Sequence, residues 1–117
     1  MEKSMIDMVA EFMVASGQNV NQFNFDQVSL YYGLVEEEYE EFVLEKPMMP
    51  ESLKELCDLI WVAIGVGLSC GYDLSGAFKE LHRSNMSKLV DGKLLKREDG
   101  KVLKGPNYSP ADMSGFV

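Results

Sequence analysis

Cysteine is scarce in this chain: Cys57 and Cys70 are the only two among 117 residues. Both fall on one predicted helix, too far apart along it to bridge each other, so a disulfide scaffold and a cysteine-rich zinc site are excluded. They read as reduced core thiols, and a cytoplasmic setting fits. No apolar run approaches the roughly 18 residues that a membrane span needs. The longest, Leu59 to Leu68, reads as a buried helix. Met1-Glu2-Lys3-Ser4 lacks the basic segment and apolar stretch of a signal peptide, so none is expected. Histidine occurs once, at His82, and nothing nearby in sequence orients it for catalysis. A structural role is the expectation there. No nucleophilic serine or cysteine stands out.

What is present is acid. The net charge is −8 and the hydrophobic share is 46%, the profile of a single globular domain. Between Lys79 and Lys104 eight Lys/Arg face four Asp/Glu, so the rest of the chain carries about −12. A nucleic acid polymer is a poor partner for such a surface. An acidic metal-binding part beside a basic strip that holds phosphates fits better.

Apolar periodicity predicts four helices. The first carries Met5, Met8, Val9, Phe12 and Met13 and ends at Gly17. The second runs from about Phe25 to Glu45, with Val28, Tyr31, Leu34, Val35, Phe42 and Val43 at helical spacing, and Lys46-Pro47 stops it. Pro50 fits the first turn of the third, which runs to about Cys70 with Gly71 as a left-handed cap. The fourth follows Asp73 or Ser75 and places Ala77, Phe78, Leu81 and Met86 on its buried side. The segment from Leu94 to Leu103 reads as a hairpin turning at Asp99-Gly100, followed by an irregular tail. A lone hairpin is marginal in water, so it is expected to dock on helices or on a second subunit. The third helix is apolar on all sides, which a short helical monomer buries with difficulty; a homodimer sharing this helix is the simpler arrangement. The expected architecture is all-α, with a four-helix core over about residues 1–88 and a hairpin and tail over 89–117.

Two acidic clusters interrupt the apolar pattern: Glu37-Glu38-x-x-Glu41 and Glu55-x-x-Asp58. Residues three or four apart share a helix face. If the second and third helices pack antiparallel, four or five carboxylates converge. Unit charges 4 Å apart repel by roughly 4 kcal/mol at an effective dielectric near 20. A cation offsets that, and an all-oxygen donor set suits Mg²⁺ or Mn²⁺. Glu36, Glu40 and Glu45 read instead as a solvated face. Trp61 and the Tyr31/Tyr32 pair read as core rather than as stacking platforms for a base.

Leu34-Val35-Glu36-Glu37-Glu38-Tyr39-Glu40-Glu41-Phe42 followed by Glu55-Leu56-Cys57-Asp58-Leu59 resembles the EExxE…ExxD signature of the all-α nucleoside triphosphate pyrophosphohydrolases, the MazG-like superfamily. His82-Arg83-Ser84-Asn85-Met86-Ser87-Lys88, with Asp99 to Pro106, is similar to the phosphoribosyl-ATP-pyrophosphohydrolase-like branch of bacteria and phages. The resemblance spans about Leu30 to Asp112. It implies a MazG-like fold and Mg²⁺-dependent hydrolysis of a nucleotide between the α and β phosphates. By position, Glu38, Glu41, Glu55 and Asp58 would be the metal ligands, with Glu37 orienting or deprotonating the attacking water. Arg83, Asn85, Lys88, Lys101, Lys104 and Tyr108 are candidate substrate contacts. Surface solubility for the cations and helix termination for Asn85 compete with that role. A third consecutive acid, Glu36, opens a second register, Glu36-Glu37-x-x-Glu40; the apolar flanks Leu34 and Phe42 favour the first. The alternative function is a helical module that binds nucleotide or metal without turnover, and a purely structural helical protein is a further one.

Overall fold

Ser4 opens the first helix, α1 (Met5–Ala15), with a capping box. Its hydroxyl accepts the Asp7 amide at 3.1 Å, and the Asp7 carboxylate accepts the Ser4 amide at 3.3 Å. The computed structural model describes residues 2–117 and contains four α-helices and one two-stranded sheet. Met1, where the predicted first helix begins, lies outside the described residues. Two compact units follow one another along the chain, Met1–Leu74 and Ser75–Val117.

The first unit is a helical hairpin with α1 added. Asn24 caps α2 (Phe25–Leu44) by accepting the Gln27 amide at 3.1 Å. Glu45 is extended, and α3 (Pro50–Cys70) begins with its proline in the first turn, where no amide is missed. Gly71 closes α3 in the left-handed conformation at φ 79°. The Asn/Gln-rich loop before α2 supplies the rest of that cap. Asn21 and Asn24 donate their amides to the carbonyls of Leu68 and Ser69, each at 3.0 Å, so these helix-end acceptors gain partners from the loop. Gln27 fixes this loop from within, bonding Asn19 twice and the Ser69 hydroxyl at 2.8 Å. The buried cluster comprises Val9, Met13, Tyr31, Val62 and Leu68 from α1, α2 and α3.

The single chain covers fewer faces than the apolar pattern offers. Only Val9 and Met13 of the α1 stripe are covered; Met5, Met8 and Phe12 are exposed at its margin. Helix α3 is buried along one side only, through Val62, Gly65, Gly67, Leu68 and Ser69. Leu53 is 63% exposed, and Leu56, Cys57, Ile60 and Trp61 also reach solvent. Cys57 is therefore an exposed free thiol and not a core one, whereas Cys70 is half-buried. The cause is geometric: an all-apolar helix flanked by two helices still has an uncovered side.

Helix α4 (Leu74–Met86) starts directly after Asp73 and belongs to the second unit from Ser75 onward. Its expected apolar side is also uncovered, with Phe78 68% and Met86 52% exposed. The tail lies instead on the polar side of the helix. Ser84, the one buried residue of α4, donates to the Ser109 carbonyl at 2.9 Å, and Arg83 donates to the Pro110 carbonyl at 3.2 Å. The Ser109 amide reaches the Ser87 hydroxyl at 2.8 Å, and the Asp112 amide reaches Glu80 at 2.8 Å. These bonds order an otherwise irregular segment. The expected hairpin forms, pairing β1 (Leu95–Lys96) with β2 (Val102–Leu103) antiparallel, with Leu95 opposite Leu103. Gly100 turns it at φ 86°. A second turn, Asp91-Gly92, joins Val90 to Lys93 with positive φ at both residues, as a two-residue hairpin turn requires. At the base of the hairpin, Gly105 donates to the Lys88 carbonyl at 3.2 Å. A side chain there would meet Val90 at 2.6 Å.

Candidate metal centre

Helices α2 and α3 pack side by side along the hairpin, and that packing gathers acids from both. Carboxylate oxygens of Glu38, Glu55 and Asp58 lie within 4.8 Å of one another, and all three residues are half-buried. Glu38, rather than its exposed neighbours Glu37 or Glu40, is the α2 acid grouped with the α3 pair. One oxygen of Glu38 and one of Glu55 are shut off from solvent with no hydrogen-bond partner. A buried acceptor left unpaired is costly. Two such oxygens in one acidic cluster form the kind of place that a hard, oxygen-seeking cation satisfies.

Glu41 stands beside this group. It is exposed, and its carboxyl lies beside that of Glu55. Partial burial, followed by the neighbouring Glu41 carboxyl and its charge, holds the Glu55 carboxyl above its ordinary range, partly opposed by Lys54. A metal ion bound there would reduce this like-charge repulsion. Lys54 supplies the other compensation: its Nζ donates to Asp58 Oδ2 at 2.6 Å, one helical turn along α3. This ion pair was missed in the sequence reading, although the i,i+4 spacing of Lys54 and Asp58 carries its signal.

Glu37, the expected base, is exposed on α2 and outside the triad, and Glu36, Glu40 and Glu45 are exposed as a solvated face should be. The six expected substrate contacts belong to the second unit. Among them Arg83 grips Glu80 through two bonds, at 2.7 and 2.9 Å. Lys104 lies 4.6 Å over the Tyr108 ring, a cation–π contact. The Asn85 carbonyl accepts the Lys88 amide at 3.1 Å as the helix ends, and the Lys101 amide donates to Asp99 at 3.0 Å. His82 is exposed.

An open apolar cleft of about 870 Å³ lies at the α2–α3 turn, walled by Phe42, Val43, Met48, Met49, Leu53 and Leu56. None of the expected site residues lines it. A smaller apolar pocket of about 220 Å³ lies between α1 and α3, against Met5, Met8, Ile60 and Trp61. Among the described residues no helix is long and apolar enough to cross a membrane. Set against known proteins, the chain matches no family model and has no significant match among curated proteins.

Proposed function

We propose that this chain is a divalent-metal-dependent nucleotide pyrophosphohydrolase, cleaving a nucleoside triphosphate or related nucleotide to a monophosphate and pyrophosphate. The observation that carries the reading is the convergence of Glu38, Glu55 and Asp58 around two buried, unpartnered carboxylate oxygens. The EExxE…ExxD resemblance points the same way. Glu38, Glu55 and Asp58 would hold Mg²⁺ or Mn²⁺, with Glu41 adjoining through Glu55. When bound, such an ion supplies Lewis-acid polarisation of phosphate oxygens and offsets charge on the leaving pyrophosphate.

The chain's own residues do the rest. Glu37, exposed on α2 and outside the triad, would be the base that the resemblance implies. In the proposed reaction a water oxygen bonds to phosphorus, the bridging P–O bond breaks, the water proton passes to the Glu37 carboxylate and pyrophosphate departs. Transfer of this kind depends on positioning and charge neutralisation and needs no covalent nucleophile. We further propose that the working form is a homodimer, supported by the uncovered apolar residues of α1 and α3.

The test is pyrophosphate release from a panel of NTPs and dNTPs, with and without Mg²⁺, with Asp58→Asn as control. Metal-dependent release that the variant lacks supports the proposal and identifies the substrate. Tight Mg²⁺–nucleotide binding without release selects a binding module instead. A chain that neither binds nor turns over nucleotide leaves the cluster as a solubilising face.

A further inference from the structure

We propose that Lys54 is the built-in placeholder of the acidic cluster, an ammonium that occupies Asp58 until a divalent cation displaces it and thereby sets the metal affinity. The inference rests on the metal-centre reading above. Lys54 Nζ lies 2.6 Å from Asp58 Oδ2, an oxygen of the residue that reading assigns as a ligand. Its charge also acts, more weakly, on Glu55 and Glu38.

Its side chain suits exchange. Lys54 is 71% exposed, whereas Asp58 is 32% exposed. The lysine therefore approaches from the solvent side on a flexible stem and can swing back into water at little cost. The cluster needs compensation when no metal is bound, because its carboxylates repel. It also needs that compensation to be weakly held, or a metal could not enter. Exposed ion pairs are weak and screened by salt, and so meet both needs. Among the described side chains, this is the ion pair made to a triad carboxylate.

The experiment is Mn²⁺ titration at fixed ionic strength, by calorimetry and by thermal melting, on the full chain and on Lys54→Met, Asp58→Asn and the double variant. Lys54 is exposed, so its replacement is expected to fold, which circular dichroism checks. Lys54→Met is expected to bind Mn²⁺ about two- to five-fold more tightly than the parent, the range that weak exposed pairs span. Without metal it is expected to melt lower than the parent, and to gain more from saturating Mn²⁺. On the Asp58→Asn background the effect of Lys54→Met on Mn²⁺ affinity is expected to shrink, since only its weaker action on Glu55 and Glu38 remains. A parent that binds Mn²⁺ while Lys54→Met binds it equally or more weakly overturns the placeholder and leaves the metal centre standing. A parent that binds no Mn²⁺ overturns both.

Discussion

At the scale of single residues, the first unit is governed by a few side chains whose partners are specific. Glu38 and Asp58 repel their neighbours unless a cation is near. Glu38→Gln is therefore expected to leave the metal-free chain as stable as the parent or more so, while abolishing the rise in melting temperature that millimolar Mg²⁺ gives the parent. Differential scanning fluorimetry with and without Mg²⁺ reads both effects, and a variant that still responds to metal would sink the assignment of Glu38 as a ligand. Tyr31 is constrained from two sides. Its hydroxyl donates to Gln18 at 2.7 Å, and its ring lies over Gly65, where an added Cβ would come within 2.3 Å of the ring. Gly65→Ala is expected to destabilise the chain by about 1–3 kcal/mol through overpacking, measurable as a shift in the urea midpoint. A near-neutral result would mean that Tyr31 can leave its place between α2 and α3 without loss.

At the scale of elements, the clasp between α4 and the tail makes its own prediction. Two Arg83 bonds and the Asp112 amide hold the Glu80 carboxyl down from 4.5 to about 2. A carboxyl that is more acidic folded than unfolded adds stability above its unfolded pKa and loses it as pH falls towards the folded one. Stability of the second unit should therefore fall between about pH 4.5 and about pH 2, and Glu80→Gln should flatten that part of the profile. Amide exchange at Ser109 and Asp112 across this range would detect the loosening; protection unchanged by acid would count against it. The elements differ in how legible they were. The ends of α2 and α3 and the Asp99-Gly100 turn could be read because proline and glycine act locally, through the conformations they forbid or permit. The Asp91-Gly92 turn carries the same signal and was passed over, since only two residues pair across it. The covered faces of α1 and α4 were misread for another reason. Periodicity shows which residues share a face, but which face is covered depends on packing, and on α4 the polar Ser84 holds the tail while Phe78 faces solvent. Of the four or five acids that helical spacing and antiparallel packing would gather, Glu38, Glu55 and Asp58 meet and Glu37 does not; Lys54 was not legible, because one lysine before an acidic motif looks like ordinary surface charge.

At the scale of the whole molecule, the exposed apolar residues of α1 and α3 conflict with the net charge. A chain at −8 repels its copies, so association has to pass through a surface without carboxylates. Met5, Met8, Ile60 and Trp61 are such a surface, with Phe12 edge-on to Trp61 at 5.7 Å. Large uncharged patches of this kind mark contact sites. We therefore expect sedimentation equilibrium to return twice the 13.2 kDa mass of the chain at micromolar concentration. Ile60→Glu places a charge in the middle of the patch, at a residue that already reaches solvent and is thus tolerated by the isolated fold. It should convert the dimer to a monomer with unchanged helical circular dichroism. If the parent sediments as a monomer up to high concentration, the homodimer is refuted. If the parent dimerises and Ile60→Glu dimerises equally well, the interface lies elsewhere, and the exposed apolar side of α4 around Phe78 becomes the next surface to substitute.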